Sequence, residues 1–363
     1  MSRIQRIGVL TAGGDCPGLN AVIRAVGKTA LNRYNLEVMG IEDGFLGLVQ
    51  NRMHVLNNKS VSNILTLGGT ILGTNNRVDP RRYPIKVGDT TEIRDVTDRC
   101  LEHIAQNDLD AIIVIGGDGS MTVTSHLVRL GLNCIGVPKT IDNDLFGTDV
   151  TFGFATAVMI ATDALDRVHT TAASHHRVMV VEVMGRNAGW IALHAGIASG
   201  TDVILIPEIP YDLEKVCEFV IGRSRRGKRF SIICISEGAR PKEGNQVVSR
   251  IDPTSPDPIR LGGIGQKLAS DIETATGIET RTVILGHVQR GGTPVPADRV
   301  LATEFGGTAV DLLMSGEQGR LVVMKGRTVT HIPLEEAADK QRLVPLDLPL
   351  LRAARAVGTC FGD

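Results

Sequence analysis

The chain has 363 residues, 42% of them hydrophobic, which suits a large core and favours two lobes over one. Its formal net charge is −1, so the basic excess of a nucleic-acid-binding protein is absent. Six scattered cysteines without a CxxC pair fit neither a zinc site nor a disulfide framework. With no leader-like start and no apolar run of membrane-spanning length, they point to a reducing cytoplasm.

Arg6–Leu10 is predicted as a first strand, Thr11–Gly18 as its glycine-bearing exit, and Leu19–Asn32 as a helix. A glycine turn between strand and helix lets backbone N–H groups and the helix dipole face an anion, although plain strand-to-helix connections also carry glycine pairs. Gly27–Thr29 mimics the end of a Walker A loop, but Val22 stands where its first glycine must be. There is no GxGxxG, which counts against a dinucleotide enzyme. Val38–Glu42 reads as a second strand. Gly68–Arg77 brings another glycine turn, placing Arg77 where a phosphate could approach closely. Residues 91–106 read as one helix.

The central stretch runs from Asp110 to Asp144. Ala111–Ile115 is a buried strand, Gly116–Ser120 its exit, and Ile135–Val137 a second strand ending on Pro138–Asp144. In an open α/β sheet both exits lie at the carboxyl ends of their strands, where ligands bind. Gly117 and Gly119 permit backbone approach to a polyphosphate, and Asp118 between them suits Mg²⁺, which takes one or two carboxylates plus phosphate oxygens. The plainer alternative is a helix-capping aspartate, which needs no flanking glycines. Thr140–Asp144 offers Asp142 as a base for a hydroxyl nucleophile, with Asp144 beside it. An Asx-rich turn explains those acids but not Lys139 and Thr140.

Beyond it, Val150–His169 reads as a long helix, and Arg177–Met184 as a strand covered on both faces. The strand–glycine–helix unit repeats at Val203–Ile206, Ile232–Ile235 and Thr282–Leu285. The fold class is therefore α/β, two doubly wound Rossmann-like lobes with the site in the cleft between them. Residues 244–258 read as a polar loop near a lobe crossing. Ser224–Arg229 reads as a solvated helix end, or an anion site. Arg177, Arg186, Arg260, Arg281, His287 and Arg290 stand at strand ends or in loops, and as a group they suit a phosphorylated sugar.

Residues 8–20, 116–120, 138–144, 181–186, 236–238 and 285–292, in that order, resemble the motifs of the 6-phosphofructokinase family. The resemblance implies Mg²⁺-dependent phosphoryl transfer to the 1-hydroxyl of fructose 6-phosphate in glycolysis. It implies Asp142 as proton acceptor with Thr140 and Arg186 in the catalytic group, and Asp118 as magnesium ligand. It assigns Gly13, Arg77, Gly117, Asp118, Gly119 and Ser120 to the phosphate donor. It assigns Thr140, Asp142, Arg177, Met184, Gly185, Arg186, Glu237, Arg281, His287 and Arg290 to the sugar phosphate. Residues 1–150, completed by part of 255–315, form the expected donor lobe, and 151–363 the sugar-phosphate lobe. Arg177 and Arg281 match residues that reach a neighbouring subunit's site, so a homodimer or homotetramer is expected, without nucleic acid or membrane.

Family members using pyrophosphate carry aspartate where this chain has Gly119 and lysine where it has Lys139, whereas familiar bacterial ATP users have glycine at both. The chain resembles the family's mixed-substrate group. An aspartate at 119 would displace and repel the α-phosphate of ATP, so Gly119 favours ATP, with pyrophosphate the alternative. Lys28 and His169 stand where regulated relatives have basic effector-site residues, which implies an altered effector site. A diacylglycerol- or NAD-kinase-like protein would share the Gly-Gly-Asp-Gly turn but lack the Thr140–Asp144 turn. A catalytically dead sensor would be expected to lack Asp142 or Asp118.

Overall fold

The computed structural model describes residues 4–88, 90–251 and 258–363. Near-continuous apolar runs put four parallel strands at the centre of the first lobe: Glu37–Ile41, Arg6–Thr11, Ala111–Gly116 and Cys134–Thr140, paired in that order. Every residue of Ala111–Gly116 is buried, as a strand with both faces covered requires. Arg320–Lys325 pairs in parallel next to Cys134–Thr140, and the antiparallel strands Thr328–Pro333 and Met53–Leu56 close the two ends of the sheet. The chain leaves Arg6–Thr11 for a neighbour on one side and later places Ala111–Gly116 on the other. That reversal opens a crevice outside the carboxyl ends of the strands. The exits at Thr11–Gly18 and Gly116–Ser120 flank it.

The second sheet is all parallel, in the order Val203–Leu205, Ser231–Ser236, Val178–Val183, Thr280–Ile284. One apolar core joins the lobes, running from Ile7, Val9 and Ile113 through Phe152 and Phe154 to Trp190, Met179 and Val181. Part of the 255–315 segment packs on the first lobe, and the chain re-enters the first sheet itself only beyond it. Helix Ile264–Thr276 packs on the second sheet, whereas Pro296–Met314 lies along Leu19–Arg33, and strands of the first sheet follow at 320–333. The helix pair is close enough that a side-chain carbon at Gly306 would sit 2.8 Å from the Ala25 methyl. Among the described residues no helix is long and apolar enough to cross a membrane.

Three sequence expectations are corrected. The single helix over 91–106 is a strand, Thr90–Arg94, paired antiparallel with Tyr83–Val87, followed by a helix only from Thr97. The stretch before Val96 has no apolar face at helical spacing, and the Asp95 carboxylate accepts from the Thr97 N–H at 2.8 Å, where the helix begins. The helix expected from Val150 starts at Phe154 and runs to His175, because Phe152–Gly153 first pairs with Lys139–Thr140. The loop at 244–258 holds a strand, Val248–Ile251, paired with Ile259–Leu261. Residues 252–257 of that loop lie outside the described residues, as does the Arg260 side chain.

Candidate active site

The first strand delivers Gly13 in a left-handed turn, φ +82°. A side-chain carbon there would stand 3.4 Å from both Lys139 Nζ and Ser120 Oγ, so three separate motifs meet at this point. The Lys139 ammonium is buried and donates to the Gly14 carbonyl. Burial holds its pKa below the ordinary lysine value. Arg290 reaches the same turn, its guanidinium donating to the Asp15 carbonyl at 3.0 Å. The Gly13 N–H donates to Asn75 O at 3.1 Å, and the Asn75 side chain accepts from the Arg77 N–H at 2.7 Å. Arg77 itself is exposed beside this turn.

Gly117 is extended and immediately precedes helix Asp118–Arg129, so Asp118, Gly119 and Ser120 form its first turn. The positive end of the helix dipole lies there. The Gly119 N–H donates to Asp118 Oδ1 at 2.7 Å. A side-chain carbon at Gly119 would meet nothing within 4 Å.

The neighbouring strand, Cys134–Thr140, ends in the acid-bearing turn. Thr140 Oγ1 accepts from the Asp142 N–H at 3.1 Å and donates to Asp144 Oδ1 at 3.3 Å. Asp142 Oδ1 is buried and has no hydrogen-bond partner. Burial pushes the Asp142 pKa up and the Asp118 charge adds to it, while Arg290 and Lys139 pull it down. Asp144 is raised by burial and then by Asp142 and Asp118.

Met184, Glu237 and His287 leave the carboxyl ends of three adjacent strands of the second sheet and line one cleft with Glu182. Burial, then the charges of Asp142 and Glu182, push Glu237 up to about 7. Gly185 and Arg186 continue from Met184 and are clamped by the neighbouring exit: Ser236 Oγ donates to Gly185 O, and Gln246 Nε2 donates to Arg186 O at 3.3 Å. A side-chain carbon at Gly238 would stand only 1.7 Å from Arg186 O. Gly238→Ala should therefore cost about 1–3 kcal/mol of stability through overpacking. Calorimetric unfolding checks this, and an unchanged Tm would refute the clamp.

Arg177 and Arg281 do not join this group within the chain. They sit at the opposite ends of their strands and converge on Glu279, at 3.3 and 2.6 Å. The six-residue strand Val178–Val183 separates Arg177 from Met184, about 20 Å at strand rise. Arg177 Nε is buried without a hydrogen-bond partner.

Residues 6–313 match the family model described as phosphofructokinase. The chain belongs to the phosphofructokinase family. A curated relative from Clostridium perfringens, named ATP-dependent 6-phosphofructokinase 2, is 50% identical over 365 residues, covering 100% of each chain. The crystal structure of Pichia pastoris phosphofructokinase in the T-state superposes with a TM-score of 0.80 at 30% identity, covering 93% of this chain and 36% of that longer one. The pyrophosphate-dependent phosphofructokinase of Nitrosospira multiformis superposes with a TM-score of 0.83 at 21% identity, covering 99% of this chain and 93% of the other. At that identity the likeness speaks for the fold alone.

The phosphofructokinase resemblance implies Mg²⁺, and the residues present suit it. Among the described residues no three His, Cys, Asp or Glu converge to hold a metal by themselves, but Mg²⁺ is commonly bound by one carboxylate plus phosphate oxygens. Asp118 raises Asp142, and both raise Asp144, a mutual repulsion that a bound cation would relieve.

Four contributors to this site were given no role by the sequence reading, although Glu182 and Gln289 lie within the motifs at 181–186 and 285–292. Glu182 accepts from the Gly265 N–H at 2.7 Å, and a lone acid inside the apolar run Val178–Val183 was a usable signal. Gln289 is fully buried and its side-chain oxygen accepts from the Met184 N–H at 3.3 Å. Gln341 donates to Asp118 Oδ2 at 2.9 Å, and Arg342 donates to the Asn143 carbonyl at 3.1 Å. Those two lie in a polar segment some two hundred residues from the turns they touch, with no motif around them.

Proposed function

We propose that the chain transfers the γ-phosphoryl group of ATP to the 1-hydroxyl of fructose 6-phosphate, giving fructose 1,6-bisphosphate. The observation that carries this reading is the buried, unpartnered Asp142 oxygen beside the helix N-terminus of Asp118–Arg129. A buried polar atom left without a partner costs about 1–3 kcal/mol. Such an acceptor suits a substrate hydroxyl. Asp142 takes the proton of the 1-hydroxyl, the freed oxygen attacks the γ-phosphorus, and the bond to the β–γ bridging oxygen breaks to release ADP. Thr140, bonded to both Asp142 and Asp144, orients the base.

Gly13, Arg77 and Gly117–Ser120 surround the donor phosphates, the glycines by letting the backbone come close and the helix by its dipole. Mg²⁺, when bound at Asp118, neutralises phosphate charge. Lys139, buried against the first turn, and Arg186 add positive charge where the transferring group passes. Met184, Gly185, Glu237, His287 and Arg290 receive the sugar phosphate. The larger-sheet lobe is thus the donor lobe and the second sheet the acceptor lobe. Arg177 and Arg281, too far from their own chain's cleft, serve a neighbouring subunit in a homodimer or homotetramer. The reading places the protein in the cytoplasm, where its free thiols persist.

The share of ATP in this reading rests on curated relatives at half identity, named ATP-dependent over the full chain, and on Gly119. The space around Gly119 is open, so an aspartate there can be tested without disturbing the fold. Two like charges about 4 Å apart at an effective dielectric near 20 repel by about 4 kcal/mol. Gly119→Asp should therefore depress kcat/KM for ATP far more than for pyrophosphate, by up to about three powers of ten. Assays of the purified protein with each donor check both points. A native preference for pyrophosphate would overturn the donor assignment, and an equal loss with both donors would defeat the argument from Gly119.

A further inference from the structure

The strand ladder that joins the two acid-bearing exits ends at Gly116 and Pro138. Beyond it, a segment from near the C-terminus spans the gap. Gln341 forms an antiparallel bridge with Leu145, the residue after Asp144, so its backbone rides on the Asp142 turn. Its side chain crosses to the other turn, Nε2 donating to Asp118 Oδ2 at 2.9 Å. The Asp118 carboxylate is thereby held at both oxygens, Oδ1 by the Gly119 N–H and Oδ2 by Gln341.

The backbone on either side of Gln341 is fastened independently. Asp339 exchanges hydrogen bonds with Thr122 of the Asp118 helix, both at 3.1 Å. The Arg342 N–H donates to Asp144 O at 2.7 Å, and its guanidinium to Asn143 O. Trp190 Nε1 donates to Arg342 O at 2.9 Å, and the Arg342 guanidinium lies 4.2 Å above the indole ring. The Val344 N–H donates to Glu208, which also accepts from the Gly189 N–H. These contacts suffice to keep the strap in place, which leaves the Gln341 side chain free for Asp118.

We propose that Gln341 is a positioning residue for the metal-binding carboxylate, a ruler that sets Asp118 relative to the Asp142 turn. The proposal rests on the reading of Asp118 as the Mg²⁺ ligand. A carboxylate whose two oxygens are each fixed by a neutral donor keeps its remaining lone pairs aimed in one direction, so a cation meets a pre-oriented ligand. Outer partners of metal ligands typically contribute about 10–100-fold to metal affinity or activity.

The test compares ATP binding by calorimetry, in Mg²⁺ and in EDTA, for the native protein, Gln341→Leu and Asp118→Asn. Leucine preserves the backbone bridge and removes the donor. Gln341→Leu should weaken ATP binding about 10–100-fold in Mg²⁺ and leave binding in EDTA unchanged. In an Asp118→Asn background the same change should add nothing, as expected for a residue that acts through Asp118. Trp190 is the single tryptophan and packs on the strap, so unchanged emission in Gln341→Leu shows the strap in place. Binding in Mg²⁺ as tight as in the native protein, or equal weakening in both buffers, would overturn the positioning role alone. Should Asp118→Asn retain full Mg²⁺-dependent affinity, the metal assignment fails and this proposal with it.

Discussion

Asp142→Asn should lower kcat by about 10²–10⁴-fold, the usual worth of a positioned general base, while fructose 6-phosphate still binds. Asparagine is nearly the same size, so the turn held by Thr140 survives and what is lost is the proton acceptor. The pH profile provides a second reading of the same residue. Burial raises the Asp142 pKa, and the base acts only when ionised. Activity should therefore be lost as pH falls, along a limb that sits above the ordinary carboxylate range. That limb should be absent from the Asp142→Asn profile. Turnover within a few-fold of the native protein, measured with saturating ATP and fructose 6-phosphate, would remove Asp142 from the chemistry.

The parts of this architecture that were legible in the sequence share one physical property: they are local. Ala111–Gly116 is buried on both faces, so its apolar run could mean little but a central parallel strand. The glycines and acids that follow it are consecutive in the chain, as are Thr140 to Asp144, and their grouping needs no tertiary information. Stretches with weak local preference were misread. Thr90–Arg94 is exposed at every residue, and only its pairing with Tyr83–Val87 makes it a strand. The meeting of Gly13, Ser120 and Lys139 was only partly legible: each motif was visible, but their contact depends on the order of strands in the sheet. Gln341 and Arg342 were illegible for a different reason. Glutamine and arginine in a polar segment are ordinary surface residues until the fold brings them against a carboxylate and a carbonyl.

Arg177 and Arg281 lead to the prediction with the widest structural reach. Both side chains gather on Glu279 at the amino ends of their strands, about 20 Å from the Met184 end of the same sheet. Arg177 Nε is buried without a hydrogen-bond partner, one of six such side-chain atoms among the described residues, and a neighbouring chain could supply one. If a neighbouring copy completes this end, an active site consists of Asp142 from one chain and Arg281 from another. Asp142→Asn and Arg281→Ala are then defective for different halves of the same site. Each variant alone should have greatly reduced turnover at physiological fructose 6-phosphate. Mixed in equal amounts, dissociated and reassembled, they should regain about a quarter of native turnover, because random pairing in a two-fold assembly gives half hybrids with one intact site of two. Two-fold symmetry makes the complementation obligatory if the sites are shared. A reassembled mixture no more active than the mean of its parents would show that each chain builds its site alone, and Arg281 would then have to be assigned to the surface pairing with Glu279 that it makes within its own chain.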